Sequence, residues 1–244
     1  MENRKTKKRI IIPVAVALAL FVAAVLFFAI WTSDYYRADQ AAIQALQSDD
    51  TVAVSETDYG WFFDGPGDDT AMVFYPGAKV EETAYAPLLH ELAEEGIDVC
   101  LVKMPLHLAV LNGNAAEEVM KEYNYSVWYL AGHSMGGAMA ARYAAKHGNE
   151  AEGIIMLAAY PTESLAKDMK ALVLVGSEDE VIQEEKLAEG RQYASDDYEE
   201  IVIAGGNHAQ FGNYGEQKGD GKATVSGEEQ RERAVEEILE MVRR

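Results

Sequence analysis

Gly132-His133-Ser134-Met135-Gly136 places a serine where packing gives no reason for one. An apolar, β-rich run (residues 126–131) precedes it and a small-residue run (137–145) follows, so the pattern predicts strand, sharp turn and helix. A serine at such a turn sits in a strained backbone conformation, and its neighbours two residues away must lack bulky side chains. Glycines at 132 and 136 meet that need. The helix that begins there directs backbone N–H groups at any oxyanion formed beside Ser134. A hydroxyl so presented becomes a nucleophile once a neutral imidazole takes its proton.

Two later apolar runs end in groups able to activate it. Residues 171–176 read as a buried strand followed by Ser177-Glu178-Asp179-Glu180, and residues 201–204 as another, followed by Gly205-Gly206-Asn207-His208. Serine, acid and histidine therefore come in the order a Ser-His-Asp site on an alternating α/β fold requires, each at a strand end. His208 is the expected base. Asp179, three residues beyond Gly176, is preferred over Glu178 and Glu180 as the carboxylate that fixes the His208 tautomer. The expected oxyanion donors are the N–H of Met135 and one N–H from the Pro76-Gly77-Ala78-Lys79 loop, Ala78 first and Lys79 second. Met104, His107 and Tyr160, all just past strands, are candidate substrate-pocket walls, with plain core as the alternative for Met104 and Tyr160. His133 reads as a packing residue turned away from its neighbour, His90 as a helix-face residue, and His147 as a cation at a helix end.

These residues resemble the α/β-hydrolase superfamily, and more closely the small, lidless bacterial serine hydrolases of its dienelactone-hydrolase-like group. The resemblance rests on residues 74–80, the elbow 132–137, Leu157-Ala158-Ala159-Tyr160-Pro161, Gly176-Ser177-Glu178-Asp179 and residues 205–212. It departs from true dienelactone hydrolases, which use cysteine as nucleophile, and from the many esterases with His-Gly where this chain has Tyr75-Pro76-Gly77. The resemblance implies a hydrolase of carboxylic esters that works through an acyl-enzyme and needs no metal or organic cofactor. Acyl transfer on the same three residues, or a binding module with a dead site, are the other functions compatible with it.

The elements that must position these groups alternate. Strands are expected near 70–75, 97–103, 126–131, 152–158, 171–176 and 198–204, and helices near 82–95, 114–123, 136–147, 182–193 and 227–243. A first hairpin is expected at 52–54 and 59–63. Alternation of this kind gives a mostly parallel sheet with helices on both faces, and the site belongs at the carboxyl ends of the strands. Only about a dozen residues separate the strands at 152–158 and 171–176. No lid domain fits there, so the expected site is open and shallow, suited to a small or surface-presented ester. The glycine-rich stretch 212–221 reads as a surface loop or a flap over the site.

Ahead of that domain, Arg4, Lys5, Lys7, Lys8 and Arg9 precede an uninterrupted apolar run over residues 10–31. The expected organisation is a basic cytoplasmic tail (1–9), a membrane-spanning signal anchor (10–31), a stalk or clamping helix (32–50) and the α/β domain (51–244). The run is long enough to cross the hydrocarbon layer of roughly 30 Å. The basic excess on its amino side predicts a cytoplasmic N-terminus and a catalytic domain outside. A cleavable signal peptide, the competing reading, would have a shorter apolar core and a small-x-small site. The chain of 244 residues carries a net charge of −20, and the first nine residues hold five bases and one acid, leaving −24 on the rest. Such a surface excludes nucleic acid as a partner. The one cysteine, Cys100, reads as a small buried hydrophobe, and one cysteine makes no internal disulfide. The acidic turn at Asp64, Asp68 and Asp69 reads as solvated rather than as a calcium loop. The substrate, the acyl chain length and the oligomeric state leave no mark in the sequence.

Overall fold

The computed structural model describes residues 2–67 and 69–244; Asp68, one member of that acidic turn, lies outside the described residues. The chain divides into two compact units, Met1–Tyr35 and Tyr36–Arg244. The first is one helix, α1 (Glu2–Ser33), whose stretch Val16–Ser33 has a mean hydropathy of 2.4 and is long and apolar enough to cross a membrane. The helix continues through the basic residues before the apolar run, because lysine and arginine are good helix formers.

The second unit begins at Tyr36 rather than at residue 51. A short helix, α2 (Gln40–Gln44), is capped by Asp39, whose side chain accepts from Ala42 N–H at 2.9 Å. The segment before it is stitched to the domain by backbone bonds from Tyr36 N–H to Lys79 O (2.7 Å), Glu81 N–H to Tyr36 O (2.8 Å) and Asp39 N–H to Asn213 O (2.8 Å). It is a clamp, not a stalk. The helix is shorter than the sequence pattern suggests because these bonds hold the preceding residues extended.

Next come β1 (Ala53–Thr57) and β2 (Gly60–Asp64), an antiparallel hairpin in which Thr57 pairs with Gly60 across a two-residue turn. From there the expected alternation follows: β3 (Thr70–Tyr75), α3 (Ala86–Glu94), β4 (Asp98–Val102), α4 (Ala115–Glu122), β5 (Val127–His133) and α5 (Met135–Lys146). The chain continues with β6 (Gly153–Leu157), β7 (Lys170–Gly176), α6 (Glu184–Gly190), β8 (Asp197–Ile203) and α7 (Gly227–Arg243). One eight-stranded sheet results, ordered β1-β2-β4-β3-β5-β6-β7-β8, parallel from β4 to β8.

The central strands read as near-continuous apolar runs because both their faces are covered. Met72, Phe74, Tyr129, Leu172 and Leu174 pack on one side with Leu88, Leu92 and Ile238 of α3 and α7. Val73, Tyr75, Leu130, Met156 and Val173 alternate to the other, against Val119 of α4 and Ala140, Ala141 and Ala144 of α5. The small residues of α5 let it lie close over the sheet. Cys100 is buried in this second layer as a free thiol. The segment between β6 and β7 contains no helix, so nothing there builds a lid.

Candidate active site

Ser134 stands between β5 and α5 with φ 54° and ψ −124°, a conformation L-residues avoid. Its N–H is tied to Leu157 O of the neighbouring strand at 2.8 Å, which holds the turn against that strain. Among the described residues the other non-glycine positions with positive φ, Lys79, Leu106, His107 and Ala158, also follow the carboxyl ends of strands. Gly136 is required by contact: a Cβ there would lie 2.2 Å from Tyr75 O and 2.3 Å from Pro76 O. The first turn of α5 thus rests directly on the backbone of the loop after β3.

Asp179 and His208 meet. The β7 and β8 strands are parallel neighbours, so the loops that follow them leave the sheet side by side. His208 Nδ1 lies 2.8 Å from Asp179 Oδ2, and both side chains are almost wholly buried. A carboxylate only accepts, so Nδ1 carries a proton toward Asp179 and Nε2 is the ring nitrogen turned away from it. The second carboxylate oxygen, Oδ1, accepts from the N–H groups of Val181 (2.9 Å) and Ile182 (2.8 Å), which fixes the group without neutralising it. Among the described residues no hydrogen bond reaches Ser134 Oγ, and the half-buried serine side chain has no direct bond to the imidazole.

The loop after β3 treats its amides differently. Gly77 N–H is spent on Tyr85 Oη (3.0 Å), and Lys79 N–H on His107 O (2.8 Å), which removes Lys79 as a donor. Ala78 N–H has no partner among the described residues, and Met135 N–H belongs to the first turn of α5, where intrahelical acceptors do not exist.

The model of the alpha/beta hydrolase family matches residues 71–232, a span that runs from the second residue of β3 through β8. The chain belongs to the α/β-hydrolase family. Among solved structures, this hydrolase is similar to Est1E from Butyrivibrio proteoclasticus (TM-score 0.56, 16% identity, 80% of this chain and 100% of that one). It is also similar to TT1662 from Thermus thermophilus (TM-score 0.56, 13% identity, 78% of this chain and 98% of that one). A third likeness is to a predicted CIB-like hydrolase from Thermoplasma acidophilum (TM-score 0.52, 18% identity, 77% of this chain and 98% of that one). At these identities the likeness is one of fold. No curated protein matches the sequence.

Several residues of the hydrolase that hold the site have no motif to reveal them. Asp220 accepts from the backbone N–H groups of His208 (3.2 Å) and Ala209 (2.9 Å). Gln230 on α7, fully buried, accepts from Asn207 N–H at 2.9 Å and donates to Asn207 O at 2.8 Å. The glycine-rich stretch after His208 is therefore a pinned loop that holds the histidine, not a flap. His133, 1% exposed, turns away from Ser134 as expected, but its role exceeds packing. Its Nε2 donates to His208 O at 3.0 Å, and its Nδ1 accepts from Tyr85 Oη at 2.8 Å. Burial holds its pKa well below 6.5, so the ring is neutral and the donor and acceptor assignment is unique. Gly77 is glycine for this reason, since a Cβ would meet His133 Nδ1 at 2.7 Å and Tyr85 Oη at 2.8 Å.

The expected pocket walls divide. Met104 is 3% exposed and belongs to the core with Val102 and Tyr75, because the loop after β4 turns back over α4 and α5. His107 is half-buried beside Glu82 (3.8 Å), with its carbonyl on Lys79, and Tyr160 packs half-buried on the same core. Among the described residues, the side chains nearest in kind to a metal site are Asp49, His90 and Glu94, whose donor atoms lie within 4.8 Å of one another. There His90 bonds Ala45 O and Asp49 Oδ2, each at 2.9 Å, and so ties the segment before β1 to α3.

Proposed function

We propose that this protein is a membrane-anchored serine hydrolase that cleaves carboxylic esters through an acyl-enzyme, with its hydrolase domain outside the cytoplasm. The observation that carries the reading is the buried His208–Asp179 pair at 2.8 Å, which leaves Nε2 free at the strand ends where Ser134 is displayed. Substrate binding is what brings Ser134 Oγ into line with that nitrogen, as such bonds often tighten only in the Michaelis complex.

Ser134 Oγ attacks the ester carbonyl and its proton passes to His208 Nε2. The N–H groups of Met135 and Ala78 hold the oxyanion. Collapse breaks the bond to the alcohol oxygen, which leaves with the proton from His208. Water then gives a proton to the same nitrogen and attacks the acyl-serine, and the second collapse frees the acid and restores Ser134. Asp179 stays ionised throughout and stabilises the imidazolium.

The exposed apolar side chain of Met135, next to Ser134, supports an ester with an apolar acyl or alcohol portion. The anchor reading rests on α1 and on the basic residues before its apolar stretch.

Labelling of the full chain in detergent with a fluorescent fluorophosphonate tests the chemistry. Wild type labels and Ser134→Ala does not; equal labelling of both would sink the reading. Turnover of p-nitrophenyl esters with and without an added alcohol separates hydrolysis from acyl transfer. External protease on intact cells expressing the chain is expected to remove the hydrolase domain.

A further inference from the structure

The second unit begins at a residue that touches both loops of the proposed site. Tyr36 lies beside Val80 like a single residue of an added parallel strand. Its N–H donates to Lys79 O at 2.7 Å, and its carbonyl accepts from Glu81 N–H at 2.8 Å. Two positions on, Ala38 N–H donates to Glu81 Oε2 at 3.1 Å. These partners directly follow Ala78, the proposed oxyanion donor.

Lys79 gives that loop a need for support. Its φ of 58° is a conformation that a residue with a Cβ keeps only where its surroundings hold it. The N–H of Lys79 is held by His107 O at 2.8 Å, and its carbonyl is held by Tyr36 N–H. Backbone bonds on both sides thus fix the strained residue next to Ala78, and Tyr36 supplies one of the two.

The side chain of Tyr36 turns to the other loop. Its Oη accepts from Lys218 N–H at 3.0 Å, and its ring centroid lies 5.5 Å from that of Tyr214. Tyr214 in turn lies 6.5 Å, ring to ring, from both Tyr85 and His133, which join the same loops from inside. Asp39 N–H adds a bond to Asn213 O at 2.8 Å. Residues 213–218 belong to the pinned stretch after His208. A residue that only covered the core would need its side chain alone. Tyr36 instead divides backbone and side chain between two loops that carry different parts of the proposed machinery.

We propose that Tyr36 is a positioning residue of the active site. It braces the loop that offers Ala78 N–H against the loop that carries His208, so the segment leading into the domain sets the catalytic geometry. Its effect on turnover rests on the ester-hydrolase reading, whereas the brace itself rests on the geometry of the two loops.

The test compares full chains in detergent: wild type, Tyr36→Ala, Tyr36→Phe and, as a control, Val54→Ala, which trims another half-buried side chain on the same core. Hydrogen exchange read by mass spectrometry should quicken about tenfold in Tyr36→Ala at both 77–82 and 213–219, with the central strands unchanged. Fluorophosphonate labelling and kcat for p-nitrophenyl acetate should fall about fivefold or more with little change in KM, since geometry and not binding is lost. Tyr36→Phe keeps the ring and both backbone bonds, and should recover kcat to within about threefold. Val54→Ala should lower the melting temperature and leave kcat unaltered. Tyr36→Leu, which retains bulk but neither ring nor hydroxyl, gives the same readings should the alanine variant not fold.

Faster exchange with wild-type kcat would make Tyr36 structural only, and the proposal falls. It falls equally if either loop keeps its protection, or if Val54→Ala lowers kcat as much. Absence of labelling in wild type sinks the hydrolase reading instead, and exchange at the two loops then decides the brace by itself.

Discussion

His133 Nε2 lies 3.0 Å from the carbonyl oxygen of His208, so the residue before the proposed nucleophile supports the backbone of the proposed base. The same ring reaches, through Tyr85 Oη at 2.8 Å, to the N–H of Gly77 at 3.0 Å from that oxygen. Oxyanion loop, elbow and histidine loop are thus joined by one buried chain of hydrogen bonds. Each group in it has one role open to it, because a backbone N–H only donates and a carbonyl only accepts.

Removing the hydroxyl of Tyr85 breaks that chain at its centre. Tyr85→Phe keeps the packed ring and leaves Gly77 N–H and His133 Nδ1 buried without partners. Stability should fall by about 2–4 kcal/mol in urea denaturation. The kcat for p-nitrophenyl acetate should fall about 10- to 100-fold with little change in KM, since geometry rather than binding is lost. A variant with wild-type kcat would show that the chain is structural only.

Gly136→Ala sets helix propensity against contact. Alanine is favoured in a helix by about 1 kcal/mol over glycine. At this position its Cβ would stand 2.2 Å from Tyr75 O, and two backbone segments would have to part. Overlap wins. A net loss of about 2 kcal/mol or more is expected by denaturation, together with slower fluorophosphonate labelling as the oxyanion loop moves. A variant as stable as wild type would mean that the elbow tolerates a gap at the loop after β3.

Acid should weaken the fold through His133. Its folded pKa is held well below 6.5 by burial, while the unfolded chain titrates near the ordinary value. Below that value the unfolded state binds a proton that the folded state refuses. The resulting stability is complete above about pH 6.5 and is lost on acidification, with a slope of about 1.4 kcal/mol per pH unit down to the folded pKa. Urea melts of wild type and His133→Gln across pH 5–8 isolate this term from the many carboxylates. The slope should be shallower in the variant by about that amount; parallel slopes would refute the assignment.

The residues proposed for the chemistry, and the alternation of strands and helices that carries them, are read from local patterns in the chain. Gly132 to Gly136 needs only its own neighbours to specify a turn, and runs such as residues 171–176 are apolar because a parallel strand is buried on both faces. The choice of Asp179 over Glu178 and Glu180 followed from its offset beyond Gly176. What stayed hidden depends on residues far apart in sequence. Gln230 grips Asn207 across 23 positions and Asp220 caps the His208 segment, yet neither residue type announces such a role. Lys79 stood second to Ala78 as a candidate donor, and only the fold shows its amide bonded to His107 O. Met104 sat at a strand end like a pocket wall, and the path of the following loop buried it. Local sequence sets which groups are offered, since strands, turns and helix starts are short-range events. Which of those groups remain free to act is decided only when the folded chain has distributed its hydrogen bonds, because a buried donor or acceptor is rarely left unpaired.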